Sequence, residues 1–164
     1  MKLDLADEAL AYGAVVRDAL GAAGGDELIQ RAEREPGLGD RLVGEVGDEL
    51  GLWDLDPRSG ADELEAAAAA SRAAGWWAAP GSIAERLARP TDVDADALVL
   101  VAGPRPQAAV RSSPLRWVAV DLDGHRSTVV AREPTTTVRK AGFVVDVDLD
   151  PLDEGGASDP RGVD

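Results

Sequence analysis

The sequence predicts an α+β protein, an N-terminal bundle of about five helices followed by a small, mostly antiparallel β domain. Before about residue 90, apolar residues recur every three or four positions, which is the helical period. After that point, apolar runs of strand length and alternating patterns take over. When the predicted helices all precede the predicted strands, the helices and the sheet are expected to form separate layers. We therefore expect a helical domain at 1–90, a β domain at 91–150, and a linker or disordered tail at 151–164.

Helix-stop residues bound each predicted helix. The spacing of Leu5, Ala9, Tyr12, Val16 and Leu20 defines the first apolar stripe. Gly51 follows the third helix, where a left-handed residue is favoured, and Gly75 is expected to end the fourth. A proline at position 80 is placed to open the fifth helix. The predicted helices span 4–22, 26–35, 38–50, 61–74 and about 80–89.

The period changes after Pro90. Residues 97–102 form a continuous apolar run, and residues 116–122 and 143–149 alternate. The pair Asp123-Gly124 predicts a two-residue type I′ hairpin, because glycine tolerates the positive φ that this turn requires. The return strand is expected at 125–131.

Composition excludes several classes of function. The chain has 31 acidic and 17 basic residues, for a net charge of −14, which disfavours nucleic-acid binding. It has no cysteine, so it has no disulfide, thiolate zinc site or cysteine nucleophile. No apolar run approaches the ~20 residues needed to cross a membrane. The N-terminus turns acidic at once, unlike a signal peptide, so we expect a cytoplasmic protein.

No catalytic set or metal site is predicted, and no cofactor-binding residue can be assigned from the pattern. Both the dinucleotide and the nucleotide phosphate-loop motifs are missing. Asp146, Asp148 and Asp150 have the spacing to offer carboxylates to a divalent ion, but the solvated face of a strand is the favoured interpretation. The single histidine, His125, is expected to be exposed beside the hairpin turn.

Three of the four tryptophans fall at predicted helix ends. Trp53, Trp76 and Trp77 are expected to fill gaps between packed helices. The alternative is that they form a wall for a thioester acyl chain or a flat ring, and Trp77 near Pro80 is the residue to test for that role.

The order of segments resembles the acyl-CoA dehydrogenase family over about residues 1–150. The opening Leu-Asp-Leu-Ala-Asp-Glu-Ala at 3–9 resembles the start of such an enzyme, and 42–55 resembles one of its helix ends. The segments 63–75 and 79–88 resemble the next two helices, and 117–124 resembles the start of its β section.

The resemblance implies an α,β-dehydrogenation of an acyl-CoA substrate by FAD, with a glutamate as base. The resemblance places that glutamate in a C-terminal domain that we do not expect within these 164 residues, and the family's flavin-contact stretch is not found, so no residue here receives a catalytic role. We expect an oxidoreductase part that is inactive alone and that purifies without FAD.

Two other functions stay open. In one, the chain is a degenerate, non-catalytic subunit that pairs with a complete acyl-CoA dehydrogenase. In the other, it is an unrelated α+β binding module. The strands carry more apolar residues than small, alanine-rich helices can cover. We therefore expect a homo-oligomer, or a hetero-oligomer with an acyl-CoA dehydrogenase subunit, formed through the β section. The residues expected to be left bare are Trp117, Val118, Val120, Val129, Phe143, Val145 and Val147.

Overall fold

The computed structural model describes residues 5–35, 37–102, 105–106, 116–132 and 148–151. It confirms the α+β class, with helices first and a mostly antiparallel sheet after them. The helices are α1 (Asp7–Ala22), α2 (Asp26–Arg34), α3 (Leu38–Glu49), α4 (Ala61–Trp76) and α5 (Ile83–Leu87), with a 3-10 turn at Leu52–Asp54. The strands are β1 (Ala97–Ala102), β2 (Arg105–Pro106), β3 (Arg116–Asp121), β4 (Arg126–Arg132) and β5 (Asp148–Pro151). Within the described residues, no helix is both long and apolar enough to cross a bilayer.

Helices α1 and α4 lie side by side and run in the same direction. At their N-terminal ends, the Ala6 backbone N–H donates to Glu65 Oε2 at 2.6 Å. At their C-terminal ends, the Trp77 indole N–H donates to the Arg17 carbonyl at 2.7 Å. The helical core forms against this pair, and its largest buried members are Val16, Leu20, Val43, Val46, Leu52, Ile83 and Leu87.

The fifth helix is shorter than predicted, because Pro80 does not begin it. Pro80 is buried and packs over Gly39 of α3, where an added Cβ would lie 2.5 Å from the Pro80 carbonyl oxygen. The Gly81 N–H bonds back to Ala79 at 2.9 Å, so residues 79–81 form a turn. The helix begins only at Ile83.

The sheet has the strand order β2-β1-β3-β4-β5. Strands β1 and β3 pair in parallel, and the other three pairings are antiparallel. Helix α5 lies next to β1, which joins the helical layer to the sheet. Pro151, predicted to begin the tail, is instead the last residue of β5. The predicted strand residues 143–147 and the rest of the tail lie outside the described residues.

The hairpin between β3 and β4 differs from the predicted type I′ turn. Gly124 has φ +85°, whereas Asp123 does not have a positive φ. The Gly124 N–H bonds to the Asp121 carbonyl at 3.1 Å, and the Asp121 N–H bonds to the His125 carbonyl at 3.1 Å. These bonds define a three-residue loop in which glycine takes the left-handed position after a type I turn.

Three of the sheet residues expected to be bare are buried. Trp117 is 0% exposed, Val118 is 1% and Val129 is 3%. The expectation that these three side chains remain uncovered is therefore wrong. Phe143, Val145 and Val147 lie outside the described residues.

Arginine side chains hold the connector between α5 and β1. Arg58 donates to the Ala88 and Arg89 carbonyls at 2.6 and 2.7 Å. Arg116 binds Asp94 through two bonds of 2.6 Å, and Arg126 binds Asp92 at 2.8 Å. The connector is thereby tied to the helical layer at one end and to the sheet at the other.

Candidate functional site

A cavity of about 220 Å³ opens on the outer side of the α1–α4 pair. Its floor is apolar and its rim carries two arginines, Arg17 and Arg72. The apolar lining includes Leu10, Gly13, Ala14, Ala69, Ala73 and Trp76. We call this surface, together with Asp7 and Glu65 at its N-terminal end, the α1–α4 face.

The face exists because α1 and α4 approach closely at small residues. A Cβ added to Gly13 would lie 3.0 Å from the Ala69 Cβ. With so little side-chain volume at the crossing, the ridge between the two helices is low, and a shallow apolar groove results.

Trp76 is the largest exposed group on the face. It is 69% exposed, and Leu10 beside the same cavity is 47% exposed. The Arg17 guanidinium lies 5.7 Å from the centre of the Trp76 ring, within the range of a cation–π contact. The face therefore combines a broad apolar ring with a cation at the C-terminal end of the two helices.

Two stripes of residues make the face, one on each helix. On α1 the stripe is Asp7, Leu10, Ala14 and Arg17, and on α4 it is Glu65, Ala69, Arg72 and Trp76. Both recur at spacings of three and four, which places their members on one side of a helix. Each stripe begins with an acid, and each has a base in its C-terminal half: Arg17 ends the α1 stripe, and Arg72 precedes Trp76 on α4.

The tryptophans divide between packing and exposure. Trp77, singled out as a candidate ligand wall, instead lies close to Gly21 and Gly25 and is tied to Arg17 by its indole N–H. Trp53 packs over Gly47, with the Arg86 guanidinium 3.5 Å from its ring centre. Burial lowers the pKa of Arg86. Trp76, expected to fill a helix gap, is the ring that lines the cavity.

Sequence reasoning missed this face, although a signal for it was present. The core stripe of α1 runs through Ala9, Val16 and Leu20. A second stripe at Leu10 and Ala14 lies beside it and adds apolar residues that the core does not need. An apolar stripe next to the core stripe is typical of a helix with a second contact surface.

A second polar cluster lies at the hairpin. Ligand atoms of Asp121, Asp123 and His125 lie within 4.8 Å of one another, and His125 is exposed as expected. Asp121 Oδ1 accepts the N–H groups of Asp123 and His125, and Oδ2 lies 2.9 Å from His125 Nδ1. The His125 side-chain bond is the main reason that the pKa of Asp121 is lowered. Both oxygens already serve the turn, so the cluster is explained by the local fold. The Asp146, Asp148 and Asp150 set lies outside the described side chains.

Comparisons with known proteins identify no relative of this chain. No family model, no curated protein and no solved structure matches the chain. The site must therefore be interpreted from its own geometry.

The α1–α4 cavity does not fit FAD, the cofactor implied by the resemblance. Pockets that bury drug-sized ligands occupy roughly 300–1,000 Å³, and FAD is larger than most such ligands. At about 220 Å³ the cavity is too small to enclose it. We therefore derive no chemical step through a flavin.

Proposed function

We propose that the chain is a non-catalytic assembly module whose α1–α4 face binds the helical surface of a protein subunit. The observation that carries this proposal is Trp76, a large ring 69% exposed above an apolar groove. Tryptophan and arginine are the residue types that most often anchor protein interfaces. Both are present here, in contact with each other.

The shape of the groove favours a helical partner. A groove between two packed helices accepts a third helix by the same ridge-and-groove packing that forms the pair. The exposed Ala14 and the low floor formed by Gly13 and the buried Ala69 let a partner backbone approach closely. The two ends of opposite charge would align a partner whose charges run the other way.

Site-specific photo-crosslinking in the native host tests this proposal. Benzoylphenylalanine replaces Trp76 in one variant and Val15 in the control, since Val15 is 51% exposed on another side of α1. We expect the position 76 variant to crosslink to a subunit identified by mass spectrometry, and purified components to reproduce the adduct. Equal, low crosslinking at both positions would contradict the proposal.

An acyl-CoA dehydrogenase part is the second candidate function. The observation in its favour is the order of layers, five helices followed by a mostly antiparallel sheet, which the resemblance implies. In this proposal the partner subunit is a complete acyl-CoA dehydrogenase, and the acyl-CoA substrate and FAD bind to that partner. The chain itself is expected to purify colourless.

Flavin absorbance and the coding DNA test the second candidate. A yellow preparation with near one flavin per chain would contradict the expectation that the chain does not retain FAD. A reading frame that continues past residue 164 into a helical domain with a pocket-facing glutamate would support the enzyme part over the assembly module.

A further inference from the structure

We propose that the partner of the α1–α4 face is a second copy of this chain, bound through a two-fold axis that crosses α1 and α4 at right angles. The inference rests on the proposed function, because it names the occupant of the same face. Such an axis places α1 against α1 and α4 against α4 of the other copy, each pair antiparallel.

The charges on the face match this symmetry. On α1, Asp7 and Arg17 are ten residues or about 15 Å apart, and on α4, Glu65 and Arg72 are seven residues or about 10.5 Å apart. The midpoints of the two spans fall beside Gly13 and Ala69, which contact each other. One axis at that level therefore brings Asp7 to the partner's Arg17 and Glu65 to the partner's Arg72.

The centre of the face is apolar, as an interface core requires. Leu10 and Ala14 lie between the charged ends of α1, while Ala69, between those of α4, is already buried beside Gly13 and forms the floor of the groove. Leu10 and Ala14 are exposed in the single chain. Pairing would bury them, and each Trp76 ring would cover apolar surface of the other copy.

The size of the face sets the strength of the dimer. Two helices of 16 residues are about 24 Å long and together about 20 Å wide, or roughly 500 Å² of face per copy. That is at the low end of specific interfaces. The net charge of −14 on each copy adds long-range repulsion. We therefore expect a dimer with a dissociation constant in the micromolar range.

Sedimentation velocity from low to several hundred micromolar, at physiological salt, tests the inference. The wild type should pass from monomer to dimer in this range. Arg17→Glu removes and reverses two symmetric ion pairs and should weaken the dimer by at least about tenfold. Trp76→Ala should also weaken it, whereas Val15→Glu, on another side of α1, should not.

A charge swap distinguishes this pairing from a loss of folding. Asp7→Lys combined with Arg17→Glu restores opposite charges across the proposed axis, so the double variant should recover most of the dimer. Circular dichroism checks that the helices are intact in each variant. A dimer insensitive to Arg17→Glu and Trp76→Ala, or a double variant weaker than Arg17→Glu alone, would overturn the inference.

The crosslinking and sedimentation results separate the two proposals. A chain that stays monomeric, while position 76 crosslinks to a different identified subunit, overturns the self-pairing and leaves the assembly module standing. A monomer without crosslinks at position 76 overturns both.

Discussion

Two tryptophans, one in each layer, have opposite environments. Trp76 ends α4 and is 69% exposed, whereas Trp117 lies in β3 and is 0% exposed. The sequence pattern predicted the reverse, with Trp76 filling a helix gap and Trp117 bare on the sheet. The two side chains are chemically identical, so their neighbours decide the difference.

The neighbours of Trp117 are small and in register. Ala97 of β1 and Val129 of β4 flank it across the sheet, and both are buried. Small cross-strand neighbours leave room for one large ring, which becomes part of the core. Trp76 lies one residue before Trp77, which takes the inward position over Gly21. Adjacent side chains at a helix end point about 100° apart, and here the Trp77 ring lies over Gly21 while the Trp76 ring remains exposed.

The largest expected effect is on the stability of the sheet. Trp117→Ala should reduce the free energy of unfolding by about 3–5 kcal/mol, because it leaves a cavity at a fully buried site. Trp76→Ala should cost less than about 1 kcal/mol, since its ring is exposed and its main contact is the cation–π pair with Arg17. Urea denaturation of both variants measures the contrast.

The indole N–H of Trp117 sharpens the same test. It is buried and has no hydrogen-bond partner among the described residues. Trp117→Phe therefore loses volume but no hydrogen bond, and should cost clearly less than Trp117→Ala. If Trp76→Ala and Trp117→Ala reduce the free energy of unfolding by equal amounts, the two sites do not differ in burial as described.

A second, smaller effect concerns the glycines of α3. A Cβ at Gly47 would overlap the Trp53 ring, which also contacts the Arg86 guanidinium and therefore has little room to move. Gly47→Ala should therefore destabilise the chain by about 1–3 kcal/mol. Gly44→Ala is the matched control on the same helix. Nothing lies within 4 Å of its added Cβ, so it should stabilise by about 0.5–1 kcal/mol. If thermal unfolding shows that both variants are more stable than the wild type, or that both are less stable, the packing described for Gly47 is contradicted.

The smallest expected effect is a pH dependence at the connector. The hydrogen bond from Arg116 lowers the pKa of Asp94 from its ordinary value of 3.8. A carboxyl group whose pKa is lower in the folded than in the unfolded chain stabilises the fold fully when the pH is above its unfolded-state pKa. That stabilisation is lost as the pH falls through its folded-state pKa. Asp94→Asn should thus be less stable than the wild type at pH 7, and the difference should shrink below pH 3.8. Glu33→Gln, on an exposed part of α2, controls for the loss of one negative charge. An Asp94→Asn deficit that persists unchanged at low pH would argue against this ion pair.

The sequence pattern predicted well those helices and strands whose ends are determined by residues close to them in the chain. The bounds of α2 and β1 follow directly from apolar spacing and from the glycine and proline residues beside them. The hairpin was placed correctly but given the wrong turn, because an Asp-Gly pair suits both the two-residue and the three-residue loop. The predicted start of α5 was wrong because Pro80 packs against Gly39, a residue 41 positions away in the chain.

The candidate site was less predictable, because it depends on which helices become neighbours. The apolar stripe of Leu10 and Ala14 is visible in the sequence. Its meaning requires knowing that α4 lies parallel to α1 and adds Trp76 and Arg72 to the same surface. Periodicity within one helix carries no information on the direction of the next helix packed against it.

The central claim, that the α1–α4 face joins two copies, is tested most directly by cysteine crosslinking, since the chain has no native cysteine. Ala14→Cys places a thiol near the proposed axis, so it lies close to its own counterpart. Val15→Cys places an equally accessible thiol on another side of α1. With a short bismaleimide at micromolar protein, we predict rapid covalent dimer for Ala14→Cys and little for Val15→Cys. Equal yields, or more dimer from Val15→Cys, would contradict the account.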